Sequence, residues 1–185
     1  NIDSTNNEAK RLIANDSQMK NALIVSNSQD MGRGRRGKNF YSPAGSGVYF
    51  SLIYRISEVI TDTEIITAKA AVSVIRTIKR LTGEELCVHG VNDIYYKGKK
   101  VCGILTEAVS DLETRCTEHI ITGIGINVST EVFPDSISDR AGSLSDLKLD
   151  RNELIAGIVN ELAVLFSDIN NSDCRIEYEG YSVTY

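Results

Sequence analysis

Residues 32–45, GRGRRGKNFYSPAG, set Arg33, Arg35, Arg36 and Lys38 among glycines with no acid between them. Arginine forks bind phosphate or carboxylate oxygens bidentately, and glycine lets backbone amides come close to an anion. The stretch suits a flexible loop that closes on a small anion; a solvated surface loop and an arginine-rich RNA-binding patch are the plainer alternatives. A second group lies in VNDIYYKGKKVCGI, residues 91–104, where Lys97, Lys99 and Lys100 cluster around Gly98, with Asn92 and Asp93 just ahead. Lys100 turned inward would meet an acyl or phosphoryl oxygen. Asp93 would take a proton from an incoming amine or hold a metal ion. A solvated hairpin whose lysines blunt an edge strand is the competing reading, and the favoured one if this group stood alone. The third group is GIGIN, residues 123–127, inside an apolar run. Glycines there mark a place where a ligand or another backbone lies close, or a bulge without function, and Asn127 would offer its amide to a ligand. GIGIN lacks the spacing and the following helix of a dinucleotide fingerprint, and GRGRRGK lacks the spacing of a P-loop and the Ser/Thr that would follow its lysine.

These groups need elements to hold them. The 185 residues suffice for one domain with a sizeable core. Twenty basic and 25 acidic residues give a net charge of −5, which argues against general attraction to nucleic acid or to an anionic membrane, so any anion site must be local. No apolar run approaches the roughly 20 residues of a membrane span, and no signal-peptide pattern is present. Cys87, Cys102, Cys116 and Cys174 are irregularly spaced and only His89 and His119 accompany them, so reduced thiols in a cytoplasmic protein are expected.

DSTNNEAKRLIAN reads as a helix that Ser4 or Thr5 caps, and NALIVSNSQ as a short strand. GVYFSLIYRIS is a second strand. TDTEIITAKAAVSVIRTIKRLTG is the clearest helix, ended by Gly83. ELCVHGV, KVCGILTEAV and EHIITGIGINVS read as strands, with Gly98 at the tip of a tight hairpin. Asp150 and Glu153 open a last helix in a capping-box-like arrangement. RIEYEGYSVTY, residues 175–185, alternates like a strand. Hairpins mixed with one long connecting helix predict an α+β fold, with helices packed on one face of a mixed β-sheet. The chain opens without Met and stops in this expected strand, so further domains are expected at its ends.

Four motifs occur together in the order found in biotin protein ligases: DSTN, Q-x-x-GRGRRGK-x-F-x-SP-x-G, ND-x-Y-x4-K-x-x-GIL-x-E and GIGINV. The chain resembles that family along essentially its whole length. The resemblance implies a class II aminoacyl-tRNA synthetase/biotin ligase-like fold. It also implies formation of biotinyl-5′-adenylate from biotin and ATP with Mg2+, then transfer of the biotinyl group to one lysine of a biotin carboxyl carrier protein. Residues 1–176 would be the catalytic domain and 177–185 the start of a small C-terminal SH3-like β domain. Ser4, Thr5, Asn6, Gln29, Gly32, Arg33, Gly123 and Gly125 match the family's biotin-binding positions. Arg35, Arg36, Lys38, Phe40, Lys100 and Asn127 match positions that meet ATP or the adenylate. Arg35, Lys100 and Asp93 stand where the family retains the intermediate, contacts the reacting groups and meets the acceptor lysine. A homodimer is also implied, while the DNA-binding domain that makes some members repressors has no counterpart in these motifs, so no nucleic-acid partner is expected.

The sequence departs from the family at HGVND. His89 and Gly90 replace the usual lysine and tryptophan, the chain has no Trp, and the change is expected to loosen the pocket. Phe40 replaces another frequent tryptophan, and an adenine can still stack on it. Rival functions are a lipoate ligase or octanoyl transferase of the same superfamily, and a biotin- or nucleotide-binding protein impaired in catalysis.

Overall fold

In a computed structural model, which describes residues 2–56, 60, 62–110 and 117–183, six strands form one sheet in the order β1-β2-β6-β5-β4-β3. They are β1 (Ala22–Ser26), β2 (Gly47–Arg55), β3 (Cys87–His89), β4 (Asp93–Tyr96), β5 (Lys99–Ser110) and β6 (Thr117–Asn127). Every pairing is antiparallel, so the mixed sheet expected from the sequence is corrected. Short hairpins join β3 to β4 and β4 to β5, and the long helical connection leaves β2 for the far edge, β3, without needing a parallel partner.

The helices are α1 (Thr5–Asn15), α2 (Thr63–Thr82), α3 (Arg151–Phe166) and α4 (Asp173–Tyr181). The first three follow the sequence closely, although Thr61, where the expected α2 segment opened, lies outside the described residues. Asp62 caps α2 by accepting the Glu64 amide at 2.9 Å, and Gly83 ends it at φ +78°. Asp150 accepts the amides of Asn152 and Glu153 at the start of α3, both at 2.9 Å. The strand expected over 175–185 is corrected, because Asp173–Tyr181 is helical. Arg76 of α2 explains the preference: it pairs with Glu177 at 2.5 Å and with Glu161 of α3 at 3.4 Å, tying three helices together. The expected domain border at 176/177 falls inside α4. Ser182 then bridges to Val88, and the last residues of the expected strand lie outside the described set.

Helices cover both faces of the sheet rather than one. Side chains alternate along β2, β5 and β6, so one face presents Val48, Phe50, Ile104, Ile124 and Ile126 to α2 and α3, the main core. The other face presents Ile53 and Ile121, which pack under Ala9 and Ile13 of α1. Lys69 of α2 is 1% exposed, and its ammonium donates to the carbonyl oxygens of Leu165, at 2.8 Å, and Asp168 beyond the end of α3. A cation there satisfies carbonyls that the helix itself leaves open. Burial pushes the Lys69 amine down from its ordinary range.

Candidate functional site

The α1 face of the sheet changes character along its strands. Beside Ile53 and Ile121 it is apolar; two residues further on it becomes a trough. Register brings Gly103 of β5, Gly125 of β6 and Tyr49 of β2 into one row, and Leu105, Gly123 and Ser51 into the next. The glycines leave the middle of this face without side chains. The trough is filled from above by the protein itself. A Cβ at Gly125 would sit 2.6 Å from the Phe40 ring and one at Gly103 3.1 Å from it, while a Cβ at Gly123 would run into the Asn6 side-chain oxygen. Phe40, expected to meet an adenine, thus lies over the glycines, edge-on to Tyr49 at 6.4 Å between ring centres. The space left between Ser4, Thr5, Asn6, Gln29, Arg33 and the trough floor is only about 20 Å3.

The wall of the trough is polar and buried. Gln29 accepts the Thr5 amide at 2.8 Å and donates to Ser42 at 2.9 Å. It therefore satisfies one of the open amides at the start of α1. Ser4, expected to cap this helix, makes no such side-chain bond. Ser51 lies between Thr5 Oγ1, at 2.7 Å, and Asn6 Oδ1, at 2.6 Å. Gly32 is needed where the loop turns down to the wall, since a Cβ there would strike the Phe40 carbonyl and would sit 2.6 Å from Ser42 Oγ.

Two charged groups flank the trough. On β5, the register slips at Ile94/Tyr95, so that Tyr95 faces Lys100 while Ile94 faces Cys102. Strict alternation would put Lys100 on the same face as Cys102 and Ile104. The extra residue, Val101, sends Val101 into the core and Lys100 toward the trough, where the Lys100 stem comes within 3.4 Å of a Cβ placed on Gly103. Its ammonium pairs with Asp93 at 2.8 Å. The hairpin turn supports this aim: Lys97 and Gly98 both have positive φ, as a tight two-residue turn requires. Residues 140–142 pair alongside Lys100 through both its backbone groups. The Asn127 amide donates to the Gly142 carbonyl at 2.9 Å, and its own oxygen is buried with no partner among the described residues.

The second charged group is the Gly/Arg loop. Arg33 donates to Asn7 at 2.9 Å and lies 3.3 Å from Glu107 of β5. Arg35 reaches Asn92 at 3.4 Å. Arg36 is exposed at φ +56° and Gly37 follows at +73°, so a tight turn carries the loop tip, with Lys38 exposed beyond it. Arg35 also borders a wider cavity of about 480 Å3 on the α2 side of β5, with Thr67, Thr106, Arg175 and Tyr178. That cavity is larger, but the glycine rows, the wall and Lys100 all lie on the opposite face.

Gly90 has φ +68° in the turn from His89 to Asp93, and its carbonyl accepts from Tyr178 at 3.2 Å. The departure at HGVND thus has a local reason, since glycine suits that backbone and tryptophan does not. His89 packs edge-on to Tyr95 at 5.5 Å. Of the expected site residues, Ser4, Thr5, Asn6, Gln29, Gly32, Arg33, Gly123 and Gly125 gather at the trough. Lys100 and Asp93 stand at its edge, Arg35, Arg36 and Lys38 on the loop, and Asn127 beyond the glycines. Ser42, Ser51, Gly103 and Glu107 were not expected. Gly103 and Glu107 lie within the GIL-x-E motif and were legible there as glycine and acid on one strand face; no signal marks Ser51.

A sheet of this order carrying this trough is the class II synthetase-like fold of biotin protein ligases. The biotin protein ligase of Aquifex aeolicus, in complex with biotin and ATP, superposes with a TM-score of 0.80 at 25% identity, over 98% of this chain and 75% of that one. The Leishmania major enzyme in complex with biotinyl-5-AMP superposes at 0.81 with 18% identity, over 98% and 78% of the two chains. The bifunctional ligase/repressor BirA of Bacillus subtilis is 37% identical over 170 residues, 89% of this chain and 50% of its own length. This chain therefore spans about half the length of the BirA relatives it matches. Residues 1–127 match the model of the biotin/lipoate A/B protein ligase family, and the chain belongs to that family.

Proposed function

We propose that the chain is the catalytic part of a biotin--[biotin carboxyl carrier protein] ligase. Biotin would lie in the glycine trough against the Thr5, Asn6 and Ser51 wall, with Phe40 moving off Gly103 and Gly125 to admit it. Its carboxylate would meet Lys100, leaving Asp93. One carboxylate oxygen attacks the α-phosphorus of ATP, the bond to the bridging oxygen breaks, and pyrophosphate leaves. Bringing a carboxylate up to a phosphate is opposed by their like charges, and Lys100 with Arg35, Arg36 and Lys38 offsets that repulsion. Asn127 and residues 140–142 would receive the nucleotide. The acceptor lysine's amine then attacks the carbonyl carbon, AMP leaves with the electron pair, and Asp93 takes the amine proton. Magnesium suits this scheme as an ion held largely by ATP phosphates and water, with Asp93 the carboxylate present in this charged set. The carrier protein, a cytoplasmic location and a homodimer belong to the same reading, and so does the further β domain.

The observation that carries it is the bulge at Val101, which turns Lys100 onto the face where the glycine rows and polar wall already stand. The test is biotin-dependent pyrophosphate release from MgATP without a carrier. Biotin should drive release, with the adenylate retained on the protein. Release driven by lipoate or octanoate instead would assign the chain to the other branch of its family. Binding of biotin and ATP with no release would mark it as a binding protein.

A further inference from the structure

Glu107 stands on β5 opposite Ile121, in a row completed by Ile53 of β2. Both isoleucines belong to the apolar cluster beneath α1. A carboxylate in such a place is costly unless its oxygens are taken up. They are: one oxygen accepts from Lys10 at 2.7 Å and lies 3.3 Å from Arg33, and the other accepts from Asn6 Nδ2 at 2.9 Å. The side chain keeps 18% of its exposure. Two consequences follow from the chemistry of an ionised carboxylate, which only accepts hydrogen bonds. The Asn6 amide must turn its NH2 toward Glu107, where it also meets the Leu105 carbonyl at 3.2 Å. Its oxygen must then face Ser51 and the space above Gly123, so Glu107 sets the polarity of one wall of the trough. The Gly/Arg loop, moreover, gains a fixed end. Among the described residues, Glu107 is the one carboxylate ion-paired with that loop. Arg33 is held, while Arg35, Arg36 and Lys38 stand beyond it on the turn.

We infer that Glu107 is a positioning residue: it fixes the Asn6 amide in the orientation that lines the trough, and it tethers the Arg33 end of the loop to β5 and α1. The ligand-related half of this inference rests on the function proposed above; the tether does not.

The experiment compares the chain with E107Q, E107D, R33Q and the E107Q/R33Q double variant, first without any ligand. Brief trypsin digestion is followed by mass at the bonds after Arg36 and Lys38. E107Q should speed these cuts about fivefold, as expected for the loss of one partly exposed ion pair on the loop, and R33Q, which also loses the Asn7 contact, by at least as much. The double variant should be no faster than R33Q, because the Glu107 contact is already lost there. E107D, which keeps the charge, should stay within about twofold of the parent, and cuts after Lys79 and Arg80 within α2 should be unchanged in all. A parent-like rate in E107Q, or additive rates in the double variant, overturns the tether. If E107Q fails to fold, R33Q and E107D decide it through the same bonds. In a separate arm, biotin affinity should weaken about tenfold in E107Q as the Asn6 amide becomes free to turn; unchanged affinity overturns the wall role. A parent chain that binds no biotin would defeat the proposed function and the wall role, and the loop rates would still decide the tether.

Discussion

In the proposed reaction Lys100 is the residue on which the chemistry turns, and its pairing with Asp93 at 2.8 Å would be the arrangement before biotin arrives. In that proposal an arriving carboxylate would replace Asp93 as its partner, and the freed Asp93 would become available to the acceptor amine. Lys100→Ala should lower biotin-dependent pyrophosphate release by roughly 100-fold or more, the usual cost of removing a group that faces developing charge. Near-parent release would take Lys100 out of the site. Arg35, whose one side-chain hydrogen bond among the described residues is a 3.4 Å contact with Asn92, is more lightly held than Arg33. Arg35→Ala should therefore slow the first step far less than Lys100→Ala does but speed escape of the adenylate about tenfold, read by trapping the released intermediate. Unchanged retention would remove that role. Gly123→Ala tests the trough floor. Its methyl would push on the Asn6 oxygen, so biotin binding should fall more steeply than thermal stability.

At the scale of elements, the hairpin β4–β5 and the end of α3 do the positioning. The bulge at Val101 decides which face Lys100 serves, and the pairing of residues 140–142 beside Lys100 holds that stretch of strand in place. Behind the sheet, Lys69 satisfies two carbonyl oxygens at the close of α3 from a site 1% exposed. Lys69→Met should fit the apolar surroundings yet leave those carbonyls unpaired. We expect a loss of about 1–3 kcal/mol, measured by denaturant unfolding, with pyrophosphate release per folded molecule little changed. A neutral effect would mean that water satisfies the carbonyls as well as lysine does. The turn at Gly90 makes a related point. Restoring the family's tryptophan as Gly90→Trp should cost roughly 1–2 kcal/mol, because φ +68° is left-handed backbone.

Across the whole molecule, carboxylates held by cations set the acid limit. Hydrogen bonds from Arg11 and then Asn7 hold Asp3 well below the usual carboxylate range. Burial would raise the Glu107 carboxyl, but hydrogen bonds from Lys10 and Asn6 outweigh it and the net shift is downward. The Arg76 hydrogen bond lowers Glu177. Each of these groups has a folded pKa below its unfolded one. Their contribution is complete above about pH 4–5, the unfolded carboxylate range, and disappears as pH falls through the lower folded values. Thermal midpoints should be flat above that range and drop below it, and E107Q should flatten part of the drop. The glycine and arginine stretches, the capped helices and most strands are local signals, and the glycines they mark do converge on one face, while Arg35 borders the cavity on the other. The helix over Asp173–Tyr181 was hidden because its alternating pattern fits a strand, and Arg76, from 101 positions away in the chain, is what holds Glu177 in a helix. Ser51 and the seating of Phe40 over Gly103 and Gly125 depend on register between distant strands, which no local spacing records.

Biotin transfer itself is read by incubating the chain with biotin, MgATP and a biotin carboxyl carrier domain and measuring the intact mass of the carrier. The proposed ligase should place one biotinyl group on the carrier's target lysine, dependent on ATP and lost with Lys100→Ala. An unmodified carrier alongside tight binding of biotin and ATP would contradict the proposal.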